Sequence, residues 1–161
     1  MTVDRERFRA AHGEYWEDYE LGFKFRTTSI TVTETHIVNW ACLTMDHYFL
    51  HTDAEYCKGT VFGERVAHGP LIFGMAVGMV AMTGVGGNVV SAWLGVDNMR
   101  MLAPVKIGDT ITVYVEVIER KETSKPTQGV QGWQYTVVNQ RNEEVMKFVM
   151  KFMMNRRPVN K

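Results

Sequence analysis

The rhythm of hydrophobic and polar positions changes midway along the chain. Phe23 to Val32 is rich in Thr, Ile and Phe, side chains that suit a pleated, half-buried surface, and predicts a strand. Thr33 then stands as a helix N-cap, with Glu34 in the first turn where its charge meets the positive end of the dipole. Ile37, Val38, Trp40, Ala41 and Leu43 follow at helical spacing. Thr52 and Glu55 form a capping-box pattern for a second, short helix ending near Gly59. Gly69-Pro70 opens a third helix, with proline suited to its first turn. From Leu71 to Val85 this segment carries no charge, and Gly84, Gly86, Gly87 and Asn88 then break it.

In the second half the period shortens to two. Val89 to Leu102 is largely apolar and predicts a strand. After a turn at Gly108-Asp109, Ile111, Val113, Val115 and Val117 alternate with Thr112, Tyr114 and Glu116. Trp133 to Asn139 predicts a further strand. Beyond a turn at Arg141-Asn142, Met146, Phe148, Met150 and Phe152 alternate with Lys147, Val149 and Lys151. The order is strand, helices, one long apolar helix, then four strands. An α+β architecture satisfies it, with an antiparallel sheet wrapped around a single buried helix. That helix is apolar all round because sheet and partner are expected to cover it. Gly74 and Gly78 make a GxxxG pattern, but the run is short for a membrane span of about 20 residues. The glycines are read instead as allowing another backbone to approach closely. With no repeat, low-complexity tract or linker, residues 1–161 form one domain.

Composition narrows the function classes. Of 161 residues, 45% are hydrophobic and 22% charged, as in ordinary globular domains. Formal net charge is zero, without the basic excess of a nucleic-acid binder. Arg156 and Arg157 read as a solvated tail. The N-terminal run MTVDRERFRAAHGEYWEDYE lacks the apolar core of a signal peptide. A cytoplasmic location is expected, with Cys42 and Cys57 as free thiols.

Candidate chemistry gathers in one window. The sequence has five histidines, and His47, His51 and His68 share a stretch with Asp46 and Asp53. Metal binding is the weaker reading: Asp46, His47 and His51 can supply ligands, but neither HExxH nor a cysteine-pair framework is present. Acid/base work fits better. Asp46 closes a helix and His51 stands just before the Thr52 cap, so the loop between them can turn both side chains toward one water. One group accepts a proton from that water and the other delivers a proton to substrate. The plain alternative is a turn-forming Asp and a surface His. In the segment AHGPL, Gly69 opens the apolar helix, so its N–H points outward at the positive end of the dipole. That is a ready oxyanion site, although a tight helix start also favours a small residue.

These residues resemble the MaoC-like acyl dehydratases, the family that includes (R)-specific enoyl-CoA hydratases. The family signature runs Asp-x-Asn-Pro-Leu-His-x-Asp, then an FG turn, then Ile-Ala-His-Gly. Here it reads Asp46-His47-Tyr48-Phe49-Leu50-His51-Thr52-Asp53, then Phe62-Gly63-Glu64-Arg65-Val66-Ala67-His68-Gly69. EDYELGFKF and MRMLAPVKIGDTI match as well, so the resemblance covers about residues 15 to 155. It implies a hotdog fold, a curved antiparallel sheet around a long central helix, usually paired into dimers. It implies a 2-enoyl or 3-hydroxyacyl thioester of coenzyme A as substrate, with no cofactor and no metal. Asp46 and His51 would activate the water that adds across C2–C3, Gly69 would polarise the thioester carbonyl, and His68 would shape the site.

Two departures bear on the substrate. Tyr48-Phe49 replaces the family's Asn-Pro and is expected to reshape the acyl pocket. No hydroxyl residue occurs from Pro70 to Met82, where relatives often carry one near the Asp. Met75, Met79 and Met82 fit core filling or an acyl tunnel. Arg65, Arg100 and Lys106 are available to phosphates, though ordinary solvated charge explains each. A hotdog thioesterase and a non-catalytic acyl-CoA-binding subunit of a heteromeric hydratase are the competing readings.

Overall fold

The computed structural model describes residues 13–158. Most of the charged N-terminal run lies outside them, as does His12. A 3-10 turn (Trp16–Asp18) precedes two short strands, β1 (Lys24–Arg26) and β2 (Ile30–Thr31). Four helices follow: α1 (Glu34–Thr44), α2 (Phe49–Thr52), α3 (Ala54–Lys58) and α4 (Gly69–Ala81). Four long strands complete the order: β3 (Val90–Met101), β4 (Thr110–Glu122), β5 (Gln128–Val138) and β6 (Glu144–Asn155). They form one antiparallel sheet ordered β1-β4-β5-β6-β3, with β2 also paired to β4. β3 leaves α4 and lies at the far edge, beside the last strand.

The core sits where α4 lies on this sheet. Leu71, Ile72, Ala76, Met79 and Val80 turn inward from the helix. Ile111, Val113, Val115 and Val117 meet them from β4, and Met146, Phe148 and Met150 from β6. Phe73 packs edge-on to Phe148 at 5.0 Å, and Phe148 stacks on Tyr135 at 4.9 Å. Each such side chain contributes about 1.5–3 kcal/mol of burial, which holds the helix in one place.

The helix is not covered all round within one chain. Gly74, Gly78, Ala81 and Met82 are exposed on its outer side. The close backbone approach expected at the glycines is not made: Gly74 gives room to the Trp40 ring, 3.7 Å from where a Cβ would stand, and Gly78 meets nothing. No helix among the described residues is long and apolar enough to cross a membrane.

Other local expectations are corrected. One strand over Phe23–Val32 becomes two, because Thr27 interrupts the ladder. Its N–H donates to the Val113 carbonyl at 3.0 Å, while Val113 N–H donates to the Thr27 hydroxyl at 3.1 Å. A side-chain oxygen thus takes the place of a backbone one. β5 begins at Gln128 rather than Trp133. Its polar start is buried because the Gln131 amide donates to the Trp16 and Tyr19 carbonyls, at 3.0 and 2.8 Å, and accepts from the Trp133 indole at 2.8 Å. Gly129 is required there, since a Cβ would stand 2.6 Å from the Trp16 indole. The cap of α3 is Asp53, whose carboxylate accepts from Tyr56 N–H at 2.9 Å. Thr52 instead bonds back to the His47 and Tyr48 carbonyls.

Arg156 and Arg157 are a clamp rather than a solvated tail. Arg156 Nε donates to Glu17 at 3.0 Å and Arg157 to Asp18 at 2.6 Å. The Arg120 and Arg156 guanidinium groups lie over the Trp16 ring at 4.0 and 5.0 Å. Cys42 is exposed, Cys57 is buried, and both are free thiols.

The β3–β4 connection turns on a buried carboxylate. Asp109 accepts from Lys106 N–H at 2.9 Å, Gln140 at 2.7 Å and Arg141 at 2.9 Å. Burial alone would raise its pKa, but these donors hold it below the usual carboxylate range. A depressed folded-state pKa adds stability above the unfolded value of about 3.9, and that stability is lost as pH falls through the folded value. Asp109→Asn is expected to cost about 2 kcal/mol at neutral pH and to flatten the acid limb below about pH 4. Urea denaturation across pH checks both.

Candidate active site

Three short segments converge at the head of α4. α1 ends at Met45, a non-glycine residue in the left-handed region (φ 64°), and this reversal brings Asp46 out of the helix line. The Asp46 carbonyl accepts from His68 Nε2 at 3.0 Å. His68 is fully buried and is the N-cap of α4. The loop bearing the carboxylate is therefore fastened to the residue that starts the buried helix.

His51 sits in α2, inside a short helical turn rather than before a cap. Its Nδ1 lies 2.8 Å from the Val66 carbonyl. A carbonyl only accepts, so Nδ1 carries the proton and Nε2 keeps a free lone pair. By the same logic His68 carries its proton on Nε2, and its buried Nδ1 has no partner. Burial is the main cause that lowers the His68 pKa, and the neighbouring His51 adds to it. A neutral His68 then stacks on His51, with centroids 3.8 Å apart and planes at 28°. That contact fixes the tilt of the His51 ring without placing a cation against it.

Val66 is itself held: its N–H donates to the Leu50 carbonyl at 3.3 Å, and the neighbouring Ala67 N–H to the Val105 carbonyl at 2.7 Å. Beneath α2, the buried Cys57 thiol lies 3.3 Å from the Leu50 carbonyl. Neither support is marked in the sequence, because a backbone carbonyl has no residue identity.

One ligand-type atom from each of Asp46, His51 and His68 lies within 4.8 Å of the others. That separation suits a bridged water, since two hydrogen bonds of about 2.8 Å span up to about 5.6 Å.

Beside His51 opens a cavity of about 360 Å³. Gly69, Ile72, Met101, Val145 and Met146 are among its walls. Gly69 is the first residue of α4, and its N–H precedes every intrahelical acceptor. The structure thus brings Asp46, His51, His68 and Gly69 together. It does not bring Tyr48 and Phe49 into the cavity. Both are exposed on the outer surface, Tyr48 with its ring edge-on to His51 at 6.2 Å and Phe49 against Tyr56 at 5.4 Å. Met101 and Met146, missed as site residues, could have been found only by knowing that their strands lie side by side. Arg65 and Lys106 are occupied by Glu34 at 2.8 Å and Glu64 at 2.7 Å.

A curved antiparallel sheet carrying one central helix defines a hotdog fold. The family model described as a MaoC like domain matches residues 18–139, and the chain belongs to that family. It is 41% identical over 100 residues to Protein MaoC of Klebsiella aerogenes, which covers 62% of this chain but only 29% of that protein. It is 35% identical over 105 residues to an (R)-specific enoyl-CoA hydratase of Rhodospirillum rubrum, covering 64% of this chain and 69% of that one. The solved structure of a monoamine oxidase regulatory protein from Archaeoglobus fulgius superposes with a TM-score of 0.84 at 37% identity, covering 89% of this chain and 95% of that one.

Two outcomes check the geometry. Above pH 7, nitrogen-15 spectra should show His51 protonated at Nδ1 and His68 at Nε2; the opposite tautomers would contradict the hydrogen bonds. Met45→Gly should raise stability by about 1 kcal/mol by relieving the left-handed turn, read as a higher melting temperature.

Proposed function

We propose that this chain is a hydro-lyase that adds water across, or removes it from, the C2–C3 bond of an enoyl or 3-hydroxyacyl thioester of coenzyme A. What supports this reading is the grouping of Asp46 with His51, whose Nδ1 proton is engaged by the Val66 carbonyl, beside a cavity that His51 and Gly69 line.

The arrangement supports a balanced sequence. A water held by Asp46 and His51 bonds through its oxygen to C3. His51 Nε2 takes one of its protons, and the π electrons of the double bond move toward C2 and the thioester oxygen. The Gly69 N–H, at the positive end of α4, stabilises that developing negative charge. The imidazolium then gives its proton to C2, so the elements of one water are added and His51 returns to its starting state. The Asp46 carboxylate accepts a hydrogen bond from the water's other hydrogen, which stays on the oxygen as the 3-hydroxyl, and steadies the transient cation. Dehydration is the reverse. The names of the Rhodospirillum hydratase and of a 3-hydroxybutyryl-CoA dehydratase from Methylorubrum extorquens agree with this chemistry.

We also propose that two copies assemble through β3. This strand is a free sheet edge, and Trp93 and Leu94 on it are 58% and 50% exposed. Unpaired backbone groups flanked by large apolar side chains favour a second strand.

With crotonyl-CoA, the enoyl-thioester absorbance should fall without release of free thiol. Asp46→Asn and His51→Ala should each lower the rate by about a hundredfold or more while the fold survives. Wild-type turnover in both variants would sink the assignment, and thiol release would make the protein a thioesterase. Leu94→Lys should halve the mass measured by light scattering; an unchanged mass would rule out the β3 pairing.

A further inference from the structure

The wall opposite the catalytic groups carries a contact that the chemistry above does not use. The Met101 side chain lies on the Cα of Gly69: a Cβ there would stand 3.0 Å from Met101 Cε and 3.4 Å from its sulfur. Met101 is the last residue of β3 and pairs directly with Met146 on β6. Opposed residues of an antiparallel pair leave the sheet on the same face, and both line the cavity. Their settings differ. Met146 is 1% exposed and forms part of the packed core, whereas Met101, at the end of β3, is 51% exposed within one chain. An unbranched thioether in that position can change rotamer at little cost.

We propose that Met101 determines which substituents the site accepts on C2 of its substrate. The inference rests on the hydro-lyase reading. Once the Gly69 N–H holds the thioester oxygen, C2 is bonded to the same carbonyl carbon. It then lies no more than one van der Waals layer from the side chain that covers Gly69. A group on C2 lies in the plane of the double bond, next to the carbonyl carbon held at Gly69, and so packs against the Met101 side chain that covers Gly69. A hydrogen on C2 fits with Met101 at rest. A methyl group must displace the thioether. A pocket discriminates a single methyl group by about tenfold or more, which sets the size of the effect.

The test compares kcat/KM for crotonyl-CoA and 2-methylcrotonyl-CoA in wild type, Met101→Ala and Met101→Phe, with melting temperature as the check on folding. Met101→Ala should raise the ratio of methylated to unmethylated substrate about tenfold, and Met101→Phe should lower it by a similar factor. A ratio that stays fixed in both folded variants would overturn the assignment. So would an equal change for both substrates, which would put Met101 against the thioester arm they share. If wild type hydrates neither thioester, the hydro-lyase reading itself falls; if crotonyl-CoA is hydrated and the ratio does not move, only the role of Met101 falls.

Discussion

Burial of one face of α4 against the sheet fixes where that helix begins, and the site is assembled around its beginning. The inward residues from Leu71 to Val80 leave the helix no freedom to slide. Its N-cap is a buried histidine, which reaches the carbonyl of Asp46 and stacks on the ring of His51. Its first residue is Gly69, which lines the cavity. Asp46, His51 and Gly69 sit on different segments, yet all three are placed around this one helix start.

The supports around His51 show how a partly exposed imidazole is kept rigid. Val66 sets its tautomer from one side, and neutral His68 sets its tilt from another. A cationic His68 would oppose protonation of His51, so the burial that depresses the His68 pKa is part of the arrangement. The left-handed turn at Met45 is the local cost of directing Asp46 toward the same point, and core burial elsewhere offsets it.

Much of this was legible before any coordinates. The switch from helical to alternating periodicity marked α1, α4 and the long strands, and the segment after α1 was read as able to turn Asp46 and His51 to one place, where their polar atoms do lie close together. The failures share a cause. Gln131 and Gly129 fell outside the predicted strand because their partners, Trp16 and Tyr19, lie far away in sequence. Arg156 and Arg157 read as solvated because the acidic residues that bind them belong to the first turn of the chain. Tyr48 and Phe49 stand where the family signature has Asn-Pro, but a signature does not say which way a side chain points. Met101 and Met146 carried no signal at all until β3 and β6 were placed side by side.

The central claim is that water held between Asp46 and His51 becomes a hydroxyl on the substrate's C3. Turnover of crotonyl-CoA in oxygen-18 water, followed by mass spectrometry, tests it directly. The account predicts intact thioester carrying one heavy oxygen in a 3-hydroxyacyl group. Heavy oxygen in a released carboxylic acid, with free coenzyme A beside it, would contradict it.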